Sequence, residues 1–162
     1  MNLAASQAAE PPIRVIFVCT HNSARSVMGE ALLRRHGGAA FEVFSAGTEP
    51  GRVNPLTLRA LGEAGLPKDG YVSESVHDYL GQPFDYVITV CDEAREACPV
   101  FPGGKHTLHW SYPDPSQATG TDDERLKAFR QVLIALAEQI GAFIPVAVRE
   151  RDAVPTGSGT AR

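Results

Sequence analysis

Strand-like and helix-like runs alternate along the middle of the chain, and this order constrains the fold more than any other feature. Short runs of β-branched and aromatic residues predict strands, and longer runs with apolar residues three or four apart predict helices. The predicted strands are 13–18, 41–45, 84–90 and 106–110, and the predicted helices are 26–36, 54–64, 75–80, 92–97 and 121–142. This order predicts an α/β fold in three layers, with a four-stranded parallel sheet and helices on both faces.

The length fits a single domain. A chain of 162 residues, 43% of them hydrophobic, can bury one substantial core. Residues 1–12 and 143–162 are rich in Ala, Pro, Gly, Ser and Thr. We therefore expect a domain at 13–142 between mobile N-terminal and C-terminal tails.

Composition argues against several classes of protein. A net charge of −4 without a basic stripe argues against a nucleic-acid partner. We expect no apolar run of membrane-spanning length, and the start of the chain lacks the basic and apolar regions of a secretion signal. We therefore expect a cytoplasmic monomer without a membrane partner. The three cysteines favour redox chemistry or catalysis over a disulfide scaffold.

The segment between the first strand and the first helix carries the strongest chemical signal. Residues 19–25 read Cys-Thr-His-Asn-Ser-Ala-Arg. Backbone N–H groups at such a junction have no internal partner and suit a tetrahedral oxyanion, which Arg25 can grip with two hydrogen bonds. The same positive field favours the thiolate of Cys19 and makes it a nucleophile. A lone Cys-x5-Arg pattern also fits inert packing, and the flanking strand and helix favour the catalytic interpretation.

Two other cysteines and one acid follow later strands. If the segment between Cys91 and Cys98 is helical, it rises about 10 Å, whereas a disulfide needs Cα atoms within about 7 Å. Either these cysteines never pair, or the segment unwinds when they are oxidised. Asp114 lies between two prolines, where it can exchange a proton with a leaving oxygen or can simply be a solvated turn residue. Neither zinc-ligand nor nucleotide-binding patterns occur.

Together these motifs resemble one family. Residues 18–26 are similar to the oxyanion loop of low-molecular-weight tyrosine phosphatases and of the related thioredoxin-coupled arsenate reductases, as are 44–47 and 53–55. Residues 89–102, with their Cys-x6-Cys-Pro-x-x-Pro pattern, and His109-Trp110 resemble the reductases more. The phosphatases typically follow Asp-Pro with two tyrosines, whereas Ser116-Gln117 follows it here. The resemblance covers roughly 13–142.

The resemblance implies a role for each matching residue. Cys19 would attack arsenate, Ser26 would stabilise its thiolate, and Asp114 would protonate the leaving oxygen. Cys91 would then attack Cys19 and release arsenite, and Cys98 would form a Cys91–Cys98 disulfide for thioredoxin to reduce. The substrate-binding residues would be the rest of the loop: Thr20, His21, Asn22, Ser23, Ala24 and Arg25. No bound organic cofactor is implied.

Some family members bind a potassium ion near this loop. The matching positions carry oxygen atoms: Asn22, Glu30, Ser45 and Asp78. Asn22 and Ser45 can equally brace the loop by hydrogen bonds, and the two acids can be surface residues. The chain departs from the family at three positions. His21 stands where glycine is usual, Ala24 where a cysteine is common, and Val27 where the arsenate reductases usually carry glutamine.

Three functions remain open from the sequence. The first is an arsenate reductase with a three-cysteine relay, with weak phosphatase activity as a possible side reaction. The second is a phosphatase that uses only Cys19, Arg25 and Asp114. The third is a non-catalytic anion sensor. The presence of Cys19, Arg25 and Asp114 together argues against it. Glutaredoxin or mycoredoxin are alternatives to thioredoxin as electron donors.

Overall fold

The computed structural model describes residues 10–92 and 100–153. Strands β1 (Ile13–Cys19), β2 (Phe41–Gly47), β3 (Phe84–Thr89) and β4 (Gly104–His109) form one sheet in the order β2-β1-β3-β4. Every neighbouring pair is parallel. The helices are α1 (Arg25–Gly37), α2 (Pro55–Glu63) and α3 (Asp122–Ala153), with single 3₁₀ turns at Gly38–Ala40, Val76–Tyr79 and Pro115–Gln117. The predicted α/β fold with a four-stranded parallel sheet and packed helices is confirmed.

Alternation along each strand builds one core on either side of the sheet. Val15, Phe17 and Ile88 point to the side on which all three α-helices pack. Ile16 and Val18 point to the other side, where residues of the 76–79 turn and of the 100–103 loop cover them. Because all strands are parallel, Cys19, Gly47, Thr89 and His109 meet at the same edge of the sheet.

Local sequence explains where the helices begin. Asn54 caps α2 by accepting a hydrogen bond from the Leu56 N–H at 2.9 Å, and Pro55 occupies the first turn. Thr121 and Glu124 form the predicted capping box of α3, with bonds of 3.1 and 2.7 Å. The predicted helix at 75–80 is only a 3₁₀ turn, capped by Ser75. The predicted helix at 92–97 lies almost wholly outside the described residues.

The C-terminal tail was predicted to begin at 143, and this is wrong for residues 143–153. Helix α3 continues to Ala153 with Pro145 inside it. A proline costs the helix one hydrogen bond, but Phe143 and Ala147 are buried on either side of it and hold this segment against the core. The N-terminal tail and residues 154–162 stay predictions.

Helix α3 also corrects the expectation about apolar runs. It is long and apolar enough to cross a membrane by length and composition alone. In this structure its inner face instead packs on the sheet, where Leu126, Phe129, Leu136 and Ile140 are fully buried. Core helices of globular domains pass the same test, so the finding is weak evidence for a membrane segment.

The extended helix leads to a stability prediction. The Phe143 ring lies 5.0 Å from the Tyr86 ring and 5.7 Å from the Trp110 ring. We expect Phe143→Ala to lower the free energy of unfolding by about 3 kcal/mol, because removal of the ring leaves a cavity beside Tyr86 and Trp110. Denaturant unfolding would measure it. The control is Val146→Ala, since Val146 is 52% exposed and should change stability by less than about 0.5 kcal/mol.

Candidate active site

The loop of residues 19–25 turns its first five carbonyl oxygens outward. The donors come from the segment after β2, from the first turn of α2 and from the segment before the 76–79 turn. The carbonyls of Cys19, Thr20, His21, Asn22 and Ser23 accept, in order, from Thr48 N (3.2 Å), Glu49 N (2.8 Å), Gly51 N (3.1 Å), Ser73 Oγ (2.7 Å), and both Asn54 N (3.0 Å) and Thr57 Oγ1 (2.8 Å). These bonds fix the loop from outside.

The N–H groups of the loop therefore face inward, because the N–H and C=O of a trans peptide point in opposite directions. The Asn22 N–H donates to Cys19 Sγ at 3.2 Å. Within the described part of the chain, the N–H groups of Thr20, His21, Ser23 and Ala24 have no protein acceptor. Helix α1 begins directly after them without a side-chain cap. This concave row of N–H groups at a helix N-terminus can hold a tetrahedral oxyanion.

Cys19 lies at the base of this row, at the end of β1. It is a free thiol and its residue is only 3% exposed. Its Sγ lies 2.9 Å from Ser26 Oγ. The sulfur thus has two donors for a negative charge, the Ser26 hydroxyl and the Asn22 N–H.

The direction of the Ser26 bond follows from the side chain of Asn22. The Glu74 N–H donates to Asn22 Oδ1 at 2.8 Å, which orients the amide. Asn22 Nδ2 then donates to Ser26 Oγ at 2.7 Å and to Ser45 Oγ at 3.0 Å. Because Ser26 Oγ already accepts from Asn22, its proton is available to donate to Cys19 Sγ. Asn22 adopts a positive φ of 51°, which asparagine tolerates better than most residues.

The four residues considered for a cation do not all come together. Ser45 Oγ donates to Glu30 Oε1 at 2.6 Å and accepts from Asn22. Burial raises the pKa of Glu30, although Arg34 lies 2.6 Å from its Oε2 and opposes the shift. Asp78 is exposed, and among the described residues its carboxylate contacts none of the other three. The geometry supports bracing of the loop by Asn22 and Ser45, and a cation at these oxygens stays a prediction.

Arg25 and Asp114 face each other across the loop. Arg25 is 4% exposed, and its Nη1 donates to the Tyr112 carbonyl at 3.1 Å. Its Nη2 lies 3.6 Å from Asp114 Oδ2. Asp114 Oδ1 accepts from the Ser116 N–H at 3.0 Å and the Ser116 hydroxyl at 2.7 Å. One carboxylate oxygen is thus held by the turn, and the other faces the guanidinium.

Cys91 follows β3, the neighbour of β1. The Val90 N–H donates to the Val18 carbonyl at 3.0 Å, so the chain reaches Cys91 beside the end of β1. Cys91 is fully buried and is disulfide-bonded in this structure. Its Sγ lies 4.0 Å from His109 Nδ1. Cys98 lies outside the described residues, so its predicted role stays untested.

The side chain of His21 contacts the segment after β2, while its predicted role in substrate binding stays a prediction. Its ring Nδ1 lies 3.0 Å from the Glu49 carbonyl, so the imidazole is tied to the outside of the loop. Asn22, rather than His21, adopts the left-handed conformation, which explains why position 21 accepts a side chain. Thr20, Ser23 and Ala24 contribute backbone to the loop, and Ala24 is buried beneath it.

Sequence reasoning missed the segments that hold the loop in place. Gly47 is one of them, because a Cβ there would lie 2.5 Å from the Thr20 carbonyl oxygen and 2.9 Å from Asn22 N. Ser73 and the backbone of Glu74 are others, more than fifty residues along the chain from the loop. The Ser-Ala-Gly sequence at the end of β2 was the available signal for Gly47.

Gly47 provides a direct test of this support. We expect Gly47→Ala to destabilise the protein by about 1–3 kcal/mol, because the methyl group forces the loop backbone to move. We also expect weaker binding of inorganic phosphate, measured by calorimetry, since its N–H donors move with the loop. Gly51→Ala is the matched control, because a Cβ there meets nothing within 4 Å. Equal affinities in both variants would contradict this role for Gly47.

Comparisons with known proteins agree with this geometry. Residues 14–153 match the family model described as low molecular weight phosphotyrosine protein phosphatase. The chain therefore belongs to the low molecular weight phosphotyrosine protein phosphatase family. Its relatives within that family include arsenate reductases, which confirms the resemblance given above.

Three of these relatives illustrate the similarity. The arsenate reductase of Halalkalibacterium halodurans is 36% identical over 129 residues, which cover 80% of this chain and 93% of the relative. The crystal structure of an arsenate reductase from Archaeoglobus fulgidus aligns with a TM-score of 0.68 at 30% identity, covering 81% of this chain and 98% of that one. A thioredoxin-dependent arsenate reductase from Corynebacterium glutamicum aligns with a TM-score of 0.57 at 29% identity, covering 88% and 68%.

Proposed function

We propose that this protein reduces arsenate to arsenite through a relay of Cys19, Cys91 and Cys98 that thioredoxin re-reduces. The observation that carries the proposal is the position of two cysteines at adjacent strand ends. Cys19 lies under the inward-facing N–H groups, and Cys91 follows a strand bonded to β1 through Val90 and Val18. Neighbouring strands lie about 4.8 Å apart, so the backbone segments at Cys19 and Cys91 adjoin, and the relay requires the two side chains to turn toward each other once Cys91 is reduced.

The first step forms a bond between Cys19 and arsenic. The thiolate attacks arsenate while the loop N–H groups and Arg25 hold the oxyanion. One As–O bond breaks, and Asp114 donates a proton so that this oxygen leaves as water. The N–H dipoles of the loop and the positive charge of Arg25 thus stabilise the arsenate oxyanion that the sulfur attacks.

The second step reduces arsenic. The Cys91 thiolate attacks Cys19 Sγ, the S–As bond breaks, and its electron pair stays on arsenic, which changes from As(V) to As(III). Cys98 then attacks Cys91, which frees Cys19 and leaves a Cys91–Cys98 disulfide. The thioredoxin dithiol reduces this disulfide and becomes oxidised itself, so two electrons enter for each arsenite released.

The names of the relatives support the substrate and the electron donor. The enzymes that this chain resembles over most of their length are called arsenate reductases, and one is called thioredoxin-dependent. In this proposal a single cytoplasmic chain works with arsenate and thioredoxin and needs no bound organic cofactor. A potassium ion near Glu30 and Ser45 would at most stiffen the loop.

The test is arsenate-dependent NADPH oxidation with thioredoxin and thioredoxin reductase. We expect turnover by the unmodified protein and none by Cys91→Ser. Cys98→Ser should release about one arsenite per enzyme and then stop, because a Cys19–Cys91 disulfide forms without a resolving thiol. Sustained turnover by Cys98→Ser would refute the three-cysteine relay. Replacing thioredoxin with glutaredoxin or mycoredoxin identifies the donor.

Phosphatase activity is the alternative function, and the shared loop favours it. Cys19, Arg25 and Asp114 suffice to form and hydrolyse a phosphocysteine. If the unmodified protein and both cysteine variants hydrolyse aryl phosphate at equal rates and none reduces arsenate, the phosphatase function replaces the reductase. Binding of phosphate or arsenate without any turnover would indicate an anion sensor instead.

A further inference from the structure

His109 lies where a proton can pass to or from the second cysteine. It is the last residue of β4 and pairs in register with Thr89 of β3. Its Nδ1 lies 2.7 Å from Thr89 Oγ1 and 4.0 Å from Cys91 Sγ. The imidazole is therefore beside the Cys91 sulfur, which is disulfide-bonded in this structure and must be a thiolate when the relay begins.

The fold holds this ring in one place. The next residue, Trp110, donates its N–H to the Thr89 carbonyl at 2.9 Å. The Trp110 ring packs 6.0 Å from the Phe17 ring and 5.7 Å from the Phe143 ring. The Nε2 atom of His109 is buried. The Thr89 hydroxyl orients Nδ1, and the tryptophan anchors the end of the strand.

We propose that His109 is the general base that activates Cys91, which makes it a catalytic residue of the relay. This inference rests on the proposed function. The Thr89 hydroxyl turns its proton from His109 Nδ1 to the Leu108 carbonyl, which lies 3.4 Å from Thr89 Oγ1. The S–H bond of Cys91 then breaks as an N–H bond forms on Nδ1, and the resulting thiolate attacks Cys19 Sγ. The S–As bond then breaks with its electron pair on arsenic. When thioredoxin later reduces the Cys91–Cys98 disulfide, the proton returns from Nδ1 to Cys91.

The ionisable groups that follow β3 and β4 directly along the chain, within the described residues, are Cys91 and Asp92 after β3, and Tyr112 and Asp114 after β4. Burial raises the pKa of Tyr112 to about 12, so it stays neutral in the working range. Asp114 faces Arg25 and serves the first step. Among the described residues, the sulfur that His109 contacts is that of Cys91.

The experiment isolates the second step in a Cys98→Ser background. Reduced enzyme is mixed with arsenate without thioredoxin, and arsenite is measured over time from pH 6 to 9.5. The variant is His109→Asn, because its amide can replace Nδ1 as a partner of Thr89 but cannot accept a proton. The matched control is His106→Gln on the same strand, where the imidazole is exposed and stacks on Tyr86 at 5.0 Å.

We expect His109→Asn to slow arsenite release about tenfold at pH 7. The rate should recover toward that of the parent as the pH rises, because hydroxide then removes the thiol proton that the missing imidazole cannot accept. His106→Gln should match the parent at every pH. Hydrolysis of aryl phosphate, which does not need Cys91, should be unchanged in both variants.

The outcomes separate this inference from the relay. In one outcome the parent releases a single arsenite per enzyme, while His109→Asn loses the same fraction of the rate at every pH. That result would assign His109 a structural role only and overturn the proposal. An unchanged rate in His109→Asn would overturn it too. If the Cys98→Ser parent releases no arsenite or turns over repeatedly, the relay itself fails, whatever His109 does.

Discussion

Cys19→Ser is expected to abolish both arsenate reduction and aryl phosphate hydrolysis, with a loss of at least about 10⁴-fold. Both reactions begin with attack by the Cys19 sulfur, and a serine hydroxyl at this place has no base to remove its proton. The substitution exchanges sulfur for oxygen at a buried site. The Ser26 hydroxyl and the Asn22 N–H can donate a hydrogen bond to either atom. The loss therefore reports on the chemistry and not on the fold.

Phosphate binding provides the control for this variant. The oxyanion is held by loop N–H groups and Arg25, none of which changes in Cys19→Ser. We expect calorimetry to give an affinity for phosphate within a few fold of that of the unmodified protein. Loss of binding together with activity would mean that the serine disturbs the loop. Retained turnover within tenfold would show that another group is the nucleophile.

Local patterns in the sequence predicted most of the regular structure. The apolar runs at 13–18 and 84–90 are strands because their residues are buried on both faces of the sheet. Asn54-Pro55 and Thr121–Glu124 start helices because their side chains satisfy nearby N–H groups. The end of α3 could not be predicted this way. Pro145 locally opposes a helix, and only the tertiary contacts of Phe143 and Ala147 outweigh it.

In the candidate site too, the parts that lie close together in the sequence could be predicted, and the parts that come from distant segments could not. The pattern from Cys19 to Arg25 lies within one loop, so its spacing already brings a nucleophile and a cation around one anion. The support of the loop comes from distant segments, such as Gly47, Ser73 and Glu74, whose proximity depends on strand order. Asp78 was placed by resemblance alone; it is exposed, and its part in a cation site stays a prediction.

Asp114→Asn is expected to lower kcat about 10²-fold for substrates whose leaving group needs a proton. The amide keeps an oxygen for the Ser116 N–H and hydroxyl, so the turn should persist. It cannot deliver a proton, however, and it removes the charge that faces Arg25. Phenyl phosphate has the poorer leaving group and should lose much more rate than p-nitrophenyl phosphate, whose phenolate leaves readily without protonation.

Ser116→Ala is the matched control for this comparison. It removes the 2.7 Å hydroxyl contact to Asp114 Oδ1 but leaves the carboxyl group and the 3.0 Å backbone contact. It should therefore lower both rates by the same small factor, since the carboxyl is slightly less well oriented. If Asp114→Asn also lowers both rates equally, Asp114 orients Arg25 rather than protonating the leaving oxygen. The ratio between the two substrates thus separates proton transfer from positioning, because only proton transfer depends on the leaving group.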